Sequence, residues 1–197
     1  MVSGNNDRFL RLWHEIAIGR SSIFEFNTKK KWFPLQKGGG RRFWYGNLDY
    51  VINWENDGDE IRNKNMIDGR IRSHNYNGEK IFLPGITWNS IGTTEFVCRY
   101  AERGFVFDAG GPLCTINDKN NELYMFGLLI CKVADTVFRF INPTINYTPG
   151  TLLSLPVIID EDKTKVVTEL CEENITIAKE DWNAFESSWD FCKHPLI

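Results

Sequence analysis

Asn142-Pro143-Thr144, within FINPTINYTPGTLLSLPVI (140–158), is the group of residues closest to a base-handling site. An asparagine amide and an adjacent carbonyl can meet an exocyclic amino group, but gripping an extruded base also calls for a stacking partner. Neither a second proline nor an aromatic residue follows Pro143. Asn-Pro behind a helix instead reads as a stop signal followed by extended chain. VFDAGG (106–111) places Asp108, Gly110 and Gly111 behind a strand-like run, a faint version of a cofactor turn. The β–α–β alternation that such a turn needs is missing and Pro112 follows at once, so a turn with close backbone packing is expected.

The remaining chemistry is weaker. His14-Glu15 opens like a zinc-protease helix, but Ile18 stands where the second histidine is required. Glu161-Asp162-Lys163 has the acid-x-Lys form of a nuclease half-motif without its upstream Pro-Asp partner. Three scattered histidines assemble no nucleophilic triad. Cysteines at 98, 114, 131, 171 and 192 form no Cys-x-x-Cys pair and read as reduced thiols, with no metal role expected. By itself the chain is expected to be non-catalytic and to hold no cofactor.

The elements that carry these residues follow from composition and periodicity. With 197 residues, 42% hydrophobic and 25% charged, the chain can bury a full core. Lys132, Asp135 and Arg139 interrupt its longest apolar run, so no membrane span is expected there. No basic stretch followed by an apolar one opens the sequence, and a cytoplasmic location is the expectation. The net charge of −3 hides an asymmetry: residues 1–104 carry +4 and residues 105–197 carry −7. Between Arg20 and Arg42 seven basic residues face one acid, Glu25, and such a local excess can bind a polyanion.

YVINW (50–54), KIFL (80–83), EFVCRY (95–100) and GFVFDA (104–109) read as strands. Asp57-Gly58 marks a turn, with a short helix over 60–67. Phe126, Ile130, Val133, Val137 and Phe140 step by four and three, predicting one helix over 121–141 with that face buried. TLLSLPVII (151–159) reads as a buried strand or an extended segment with Pro156 at an edge or end, and a last helix over 178–193 should bury Trp182, Phe185 and Trp189, with Cys192 continuing the spacing. Strands first and helices later predict an α+β fold: a short-stranded, mostly antiparallel sheet region (about 1–115, basic) followed by packed helices (about 116–197, acidic).

Five segments in order, GNNDRFLRLWHE (4–15), KGGGRRFWYGNLDYVINWENDGDEI (37–61), GITWNSIGTTEFVCRYAERGFVFDAGG (85–111), INPTINYTPGTLLSLPVI (141–158) and ENITIAKEDWNAFESSWDFCKHPL (173–196), resemble the PglX (BrxX) family. These are the adenine-specific DNA methyltransferases of BREX phage-defence systems. The resemblance implies a target-recognition region lying beyond the catalytic domain, which alone would hold S-adenosylmethionine. Ala178 stands where the family more often has Ser before the last helix, implying the loss of a cap worth about 1 kcal/mol.

A recognition region must hold phosphates and read base edges. Lys29, Lys30, Lys31, Lys37, Arg41 and Arg42, around a flexible Gly38–Gly40 loop, are the expected phosphate contacts. Arg70, Arg72, His74, Asn75 and Asn77, in the loop DGRIRSHNYNGEK (68–80), are the first candidates for base readout, and Arg99 and Arg103 the second. The tryptophans are expected in the core, except Trp32 beside three lysines. The implied partners are double-stranded DNA and the methyltransferase domain of the same protein. The alternative is a protein-interaction module whose acidic half docks other defence-complex subunits.

Overall fold

In the computed structural model, which describes residues 1–74, 77–92 and 95–197, a short helix α1 (Asn6–Phe9) leads into strands β1 (Leu10–Leu12), β2 (Trp32–Gln36) and β3 (Tyr50–Asn53). After the helical turn α2 (Glu55–Asp59) come β4 (Met66–Ile67), β5 (Arg70–Ile71), β6 (Gly85–Trp88), β7 (Cys98–Ala101), β8 (Val106–Phe107) and β9 (Leu113–Cys114). The helices α3 (Glu122–Ile130), α4 (Lys132–Ile141), α5 (Pro149–Leu153) and α6 (Glu161–Asn183) follow, and the fold is α+β.

One sheet has the order β1-β3-β2-β8, antiparallel except for the short parallel pair β2–β8. The inner strand β2, WFPLQ, is buried from Phe33 to Gln36, with β3 along one side and β8 beside its last two residues. Pro34, which donates no ladder bond, lies before the two residues that pair with β8. Phe9, Phe33, Leu35, Ile52, Trp54, Ile61 and Val106 form its core. A second sheet, β7-β6-β9, turns Ile86, Trp88 and Cys98 toward Phe126, Leu129, Ala134 and Phe138 of α3 and α4. A third cluster joins Tyr45, Leu48 and Phe105 to Trp182 near the end of α6. At about 1.5 Å per residue, α6 extends for about 35 Å, packing along α3 and ending on the strand-rich part.

Several sequence expectations are corrected here. The predicted 121–141 helix is two helices, broken at Cys131 (ψ 156°), whose sulfur accepts from Ala134 N at 3.5 Å. The break rotates the second half: Ala134 and Phe138 are buried while Val133 and Phe140 are exposed. Asp135, of the expected polar stripe, accepts from Phe96 N at 3.0 Å and so ties α4 to the approach to β7. TLLSLPVII is no strand, because Thr148 caps α5 by accepting from Thr151 N at 3.2 Å, with Pro149 in its first turn. Helix α6 starts at Glu161, not near 178. Ala178 is therefore interior, where alanine is the best helix former and no cap is lost. Phe185 and Cys192 lie beyond the helix and are exposed. KIFL is not a strand: Phe82 takes φ 71° and ends a turn. The short helix expected over 60–67 ends at Lys64, with Met66 and Ile67 in β4, and the sequence reading has no strand at β1, β2, β4, β5, β6 or β9.

Candidate nucleic-acid interface

The segments that could have held chemistry are spent on structure. Asn142 donates from its amide to Asn146 O at 3.0 Å and accepts from Thr144 Oγ1 at 2.8 Å, both within its own turn. Asp108 Oδ1 accepts from the N–H groups of Gly110 and Gly111. A Cβ on Gly111 would lie 2.5 Å from Gly38 N, and one on Gly110 2.6 Å from Lys37 O. Protein backbone thus packs closely against both glycines, the close turn expected from the sequence. Glu161 and Asp162 form the first turn of α6, where acids complement the helix dipole. Among the described residues no group of three or more His, Cys, Asp or Glu could hold a metal, and no helix is long and apolar enough to cross a membrane.

Of the expected phosphate contacts, Lys29 is exposed with no side-chain partner among the described residues. Lys30 Nζ donates to Gly19 O at 2.6 Å, and Lys31 Nζ lies 3.7 Å from Glu55 and 5.7 Å from the half-buried Trp32 ring. Lys37 sits over Tyr50 at 4.9 Å. Arg41 Nε donates to Glu95 at 2.6 Å, with its guanidinium 5.1 Å from the Phe43 ring. Arg42 donates to Asp181 at 2.9 Å and lies 4.8 Å from the Trp182 ring. Arg42 is thus a strut between the strand-rich part and α6. Exposed ion pairs of this kind are weak, and a polyanion can compete with Glu95 for Arg41.

The glycine loop is not loose. Asn89 Nδ2 donates to Gly39 O at 2.9 Å, Asn47 Nδ2 donates to Gly40 O at 2.8 Å, and Gly38, at φ 81°, packs against Gly110.

Among the expected base readers, Arg70 and Arg72 are exposed on or beside the β4–β5 hairpin. Asp68 and Gly69 form its tip with φ 50° and 75°, the two positive values that a tight Asp-Gly hairpin turn requires. Its base is pinned by Arg72 N donating to Asn65 O at 2.9 Å and Asn65 Nδ2 donating to Ser3 O at 2.7 Å. Met66, Ile67 and Ile71 on it are also exposed. His74 pairs through its backbone with Val2, Asn77 is exposed at φ 55°, and Asn75 lies outside the described residues. Arg103 is exposed, 5.4 Å from Phe26, beside a cavity of about 300 Å³ lined by Tyr45, Glu102 and Trp189.

Arg99 is corrected: it is fully buried and cannot meet a base edge in this arrangement. Its Nη2 donates to Asn89 Oδ1 at 2.8 Å and its Nη1 to Arg42 O at 3.3 Å, while Nε has no partner among the described residues. Burial brings its pKa down to about 10, so it stays charged at neutral pH. Sequence reasoning overlooked Asn47 and Asn89, which hold the loop; asparagines in loops give no periodic signal.

No protein-family model matches the chain. Among curated proteins it is 39% identical over its full length to the adenine-specific methyltransferase PglX of Lacticaseibacillus casei (strain Zhang), of which it covers 17%. It is likewise 39% identical over its full length to the adenine-specific methyltransferase BrxX of Escherichia coli O9:H4 (strain HS), of which it covers 15%. Both matches fall in the C-terminal part of the relative. By sequence, then, the chain is similar over its whole length to a C-terminal segment of two adenine-specific methyltransferases, PglX and BrxX, and spans less than a fifth of the length of either.

Proposed function

We propose that the chain is a DNA target-recognition module of a BREX-type adenine-specific methyltransferase, which sets a separate catalytic domain on its site. The observation that carries this reading is the end-to-end match to a segment of two adenine-specific methyltransferases. An enzyme that extrudes one adenine reads only that base in its pocket, so the flanking sequence has to be read by another surface. The β4–β5 hairpin supports the reading, since a two-stranded ribbon fits the major groove, and Arg70 and Arg72 are free to offer bidentate donors to guanine. S-adenosylmethionine and the methyl transfer belong, in this proposal, to the remainder of the full-length protein.

The test is to place Arg70→Ala and Arg72→Ala separately in the full-length enzyme and sequence methylated genomic DNA. A bidentate contact discriminates by about 1–3 kcal/mol per base pair. Each loss should relax the methylated motif at one position while nonspecific affinity stays close to that of the parent. An unchanged motif in both variants would exclude the hairpin as the reader.

A second reading has its own observation. Val166, Leu170 and Ile177 project from one side of α6 into solvent. Beside Leu170 an apolar groove of about 520 Å³ is lined by Trp44, Leu128 and Val167. Apolar surface of this kind favours a protein contact by the helical part, either with the rest of the same polypeptide or with another defence subunit. Salt separates the two readings, because phosphate contacts release counterions and make DNA affinity fall steeply with salt.

A further inference from the structure

Arg99 poses an electrostatic problem. Its guanidinium is fully buried, its hydrogen-bond acceptors are the neutral Asn89 amide and Arg42 carbonyl, and it forms no ion pair with a carboxylate among the described residues. Buried charges are ordinarily paired, because an uncompensated one carries its full desolvation cost. Both acceptors are part of, or hold, the loop that runs from Gly38 to Arg42.

The backbone of that loop has a definite facing. Gly39 O accepts from Asn89 and Gly40 O from Asn47, so both carbonyls point inward. In a planar trans peptide the C=O and the following N–H point in opposite directions. The N–H groups of Gly40 and Arg41 therefore point away from these asparagines, and neither donates to any group among the described residues. Gly39 and Gly40 are exposed and carry no side chain to cover them. At Gly39, φ is 138° and a Cβ would come within 3.0 Å of Asn47, so a larger residue would disturb the facing. Two consecutive N–H groups without an internal acceptor, on a loop braced through Asn89 and Arg42 by a buried positive charge, offer donors to an oxyanion. Glu95, an acid beside the loop, is already held by Arg41.

We infer that the Gly39–Arg41 backbone, backed by the buried Arg99, is a seat for one phosphodiester of a nucleic-acid backbone. Arg41 stands ready to leave Glu95 for the same phosphate. The identity of the anion rests on the recognition reading above; the seat itself rests on the geometry. Arg99 acts as a positioning residue through Asn89 and through its field, and it does not touch the ligand.

Amide NMR of the chain tests this with two probes, inorganic phosphate and a short duplex DNA of arbitrary sequence, against chloride at equal ionic strength. The expected result is a saturable downfield shift of the Gly40 and Arg41 amide protons with both probes, while Gly127, inside α3, stays fixed. Asn89→Asp sets a carboxylate beside Arg99 and should weaken phosphate binding by about five-fold or more. Arg99→Gln should do the same, and the dispersion of each variant's spectrum shows whether it remains folded. A shift with phosphate while DNA leaves both amides unmoved would overturn DNA as the occupant and leave an anion site only. No shift with either probe would overturn the seat, and DNA binding read at other amides of the same spectrum would then spare the recognition reading. A folded Asn89→Asp protein with undiminished phosphate affinity would overturn the part given to Arg99.

Discussion

Replacing Trp182 by alanine should show how much of the stability depends on the end of α6. The indole is 5% exposed and packs with Tyr45, Leu48 and Phe105. Truncating a buried tryptophan to alanine costs about 3–5 kcal/mol. The Arg42 guanidinium, 4.8 Å from the ring and about one-third exposed, adds about 0.5–1 kcal/mol of lost cation–π attraction. A folded domain holds only about 5–15 kcal/mol in total, so the variant should retain a fraction of its stability and melt roughly 7–24 °C lower. Trp182→Phe should be milder than ring volume alone suggests. The indole Nε1 is buried without a partner, and losing an unsatisfied donor returns about 1–3 kcal/mol, which offsets the smaller ring. Urea unfolding followed by circular dichroism measures both. A cost below about 1 kcal/mol for alanine, or equal costs for alanine and phenylalanine, would refute the reasoning.

Gly111→Ala should destabilise by about 1–3 kcal/mol because its Cβ would strike the backbone of Gln36 and Gly38, whereas Gly19→Ala, which meets open space, should change little; paired denaturant titrations decide. Burial pushes the Cys98 and Cys171 thiols up, the latter to about 11, while Cys192 is exposed. A thiol reagent should therefore modify Cys192 first and Cys98 only on unfolding, and native labelling of Cys98 at the rate of Cys192 would contradict the buried core. Asp108 is raised above 3.8, chiefly by burial and against the pull of the Gly110 and Gly111 N–H groups, so the folded protein binds this proton more tightly than the unfolded chain. Its contribution to stability should fall as pH climbs from 3.8 through the raised value and then level off. Asp108→Asn keeps an acceptor for both N–H groups and should flatten that fall; identical pH profiles of unfolding would disprove it.

What could be read in advance was whatever short-range chemistry dictates. The strand at Tyr50–Asn53, the Asp108–Gly111 turn with its close backbone contacts and the α+β order all follow from local composition. Some signals stood in the sequence and were overlooked: Thr148-Pro149 is a cap and first turn, and Asp160-Glu161-Asp162 is a helix start. Others had no local signature. Nothing near Cys131 announces a break, because apolar steps of four and three continue through it; packing against Phe96 and Tyr147 selects Phe138 over Phe140. Arg99 read as a surface arginine because a single residue type does not disclose burial between Asn89 and Arg42, 10 and 57 positions away. Arg70 and Arg72 are exposed, as a polar loop implies, but the paired strands that carry them are set by a turn at Asp68-Gly69 and by contacts with Asn65.

Arg42 belongs to two structures at once: its carbonyl accepts from Arg99, and its side chain lies on Trp182 and pairs with Asp181. Helix ends ordinarily fray, opening at little cost and independently of the rest. Here, fraying at the C-terminal end of α6 would strip the cover from Arg42, let its backbone move, and leave the buried guanidinium with one acceptor fewer. The penalty for a local opening is thereby set by a charge far away in the chain. Backbone amides in the last turns of α6 should consequently exchange with deuterium nearly as slowly as those of β7, and the closing residues of a long exposed helix should unfold only when the sheets do.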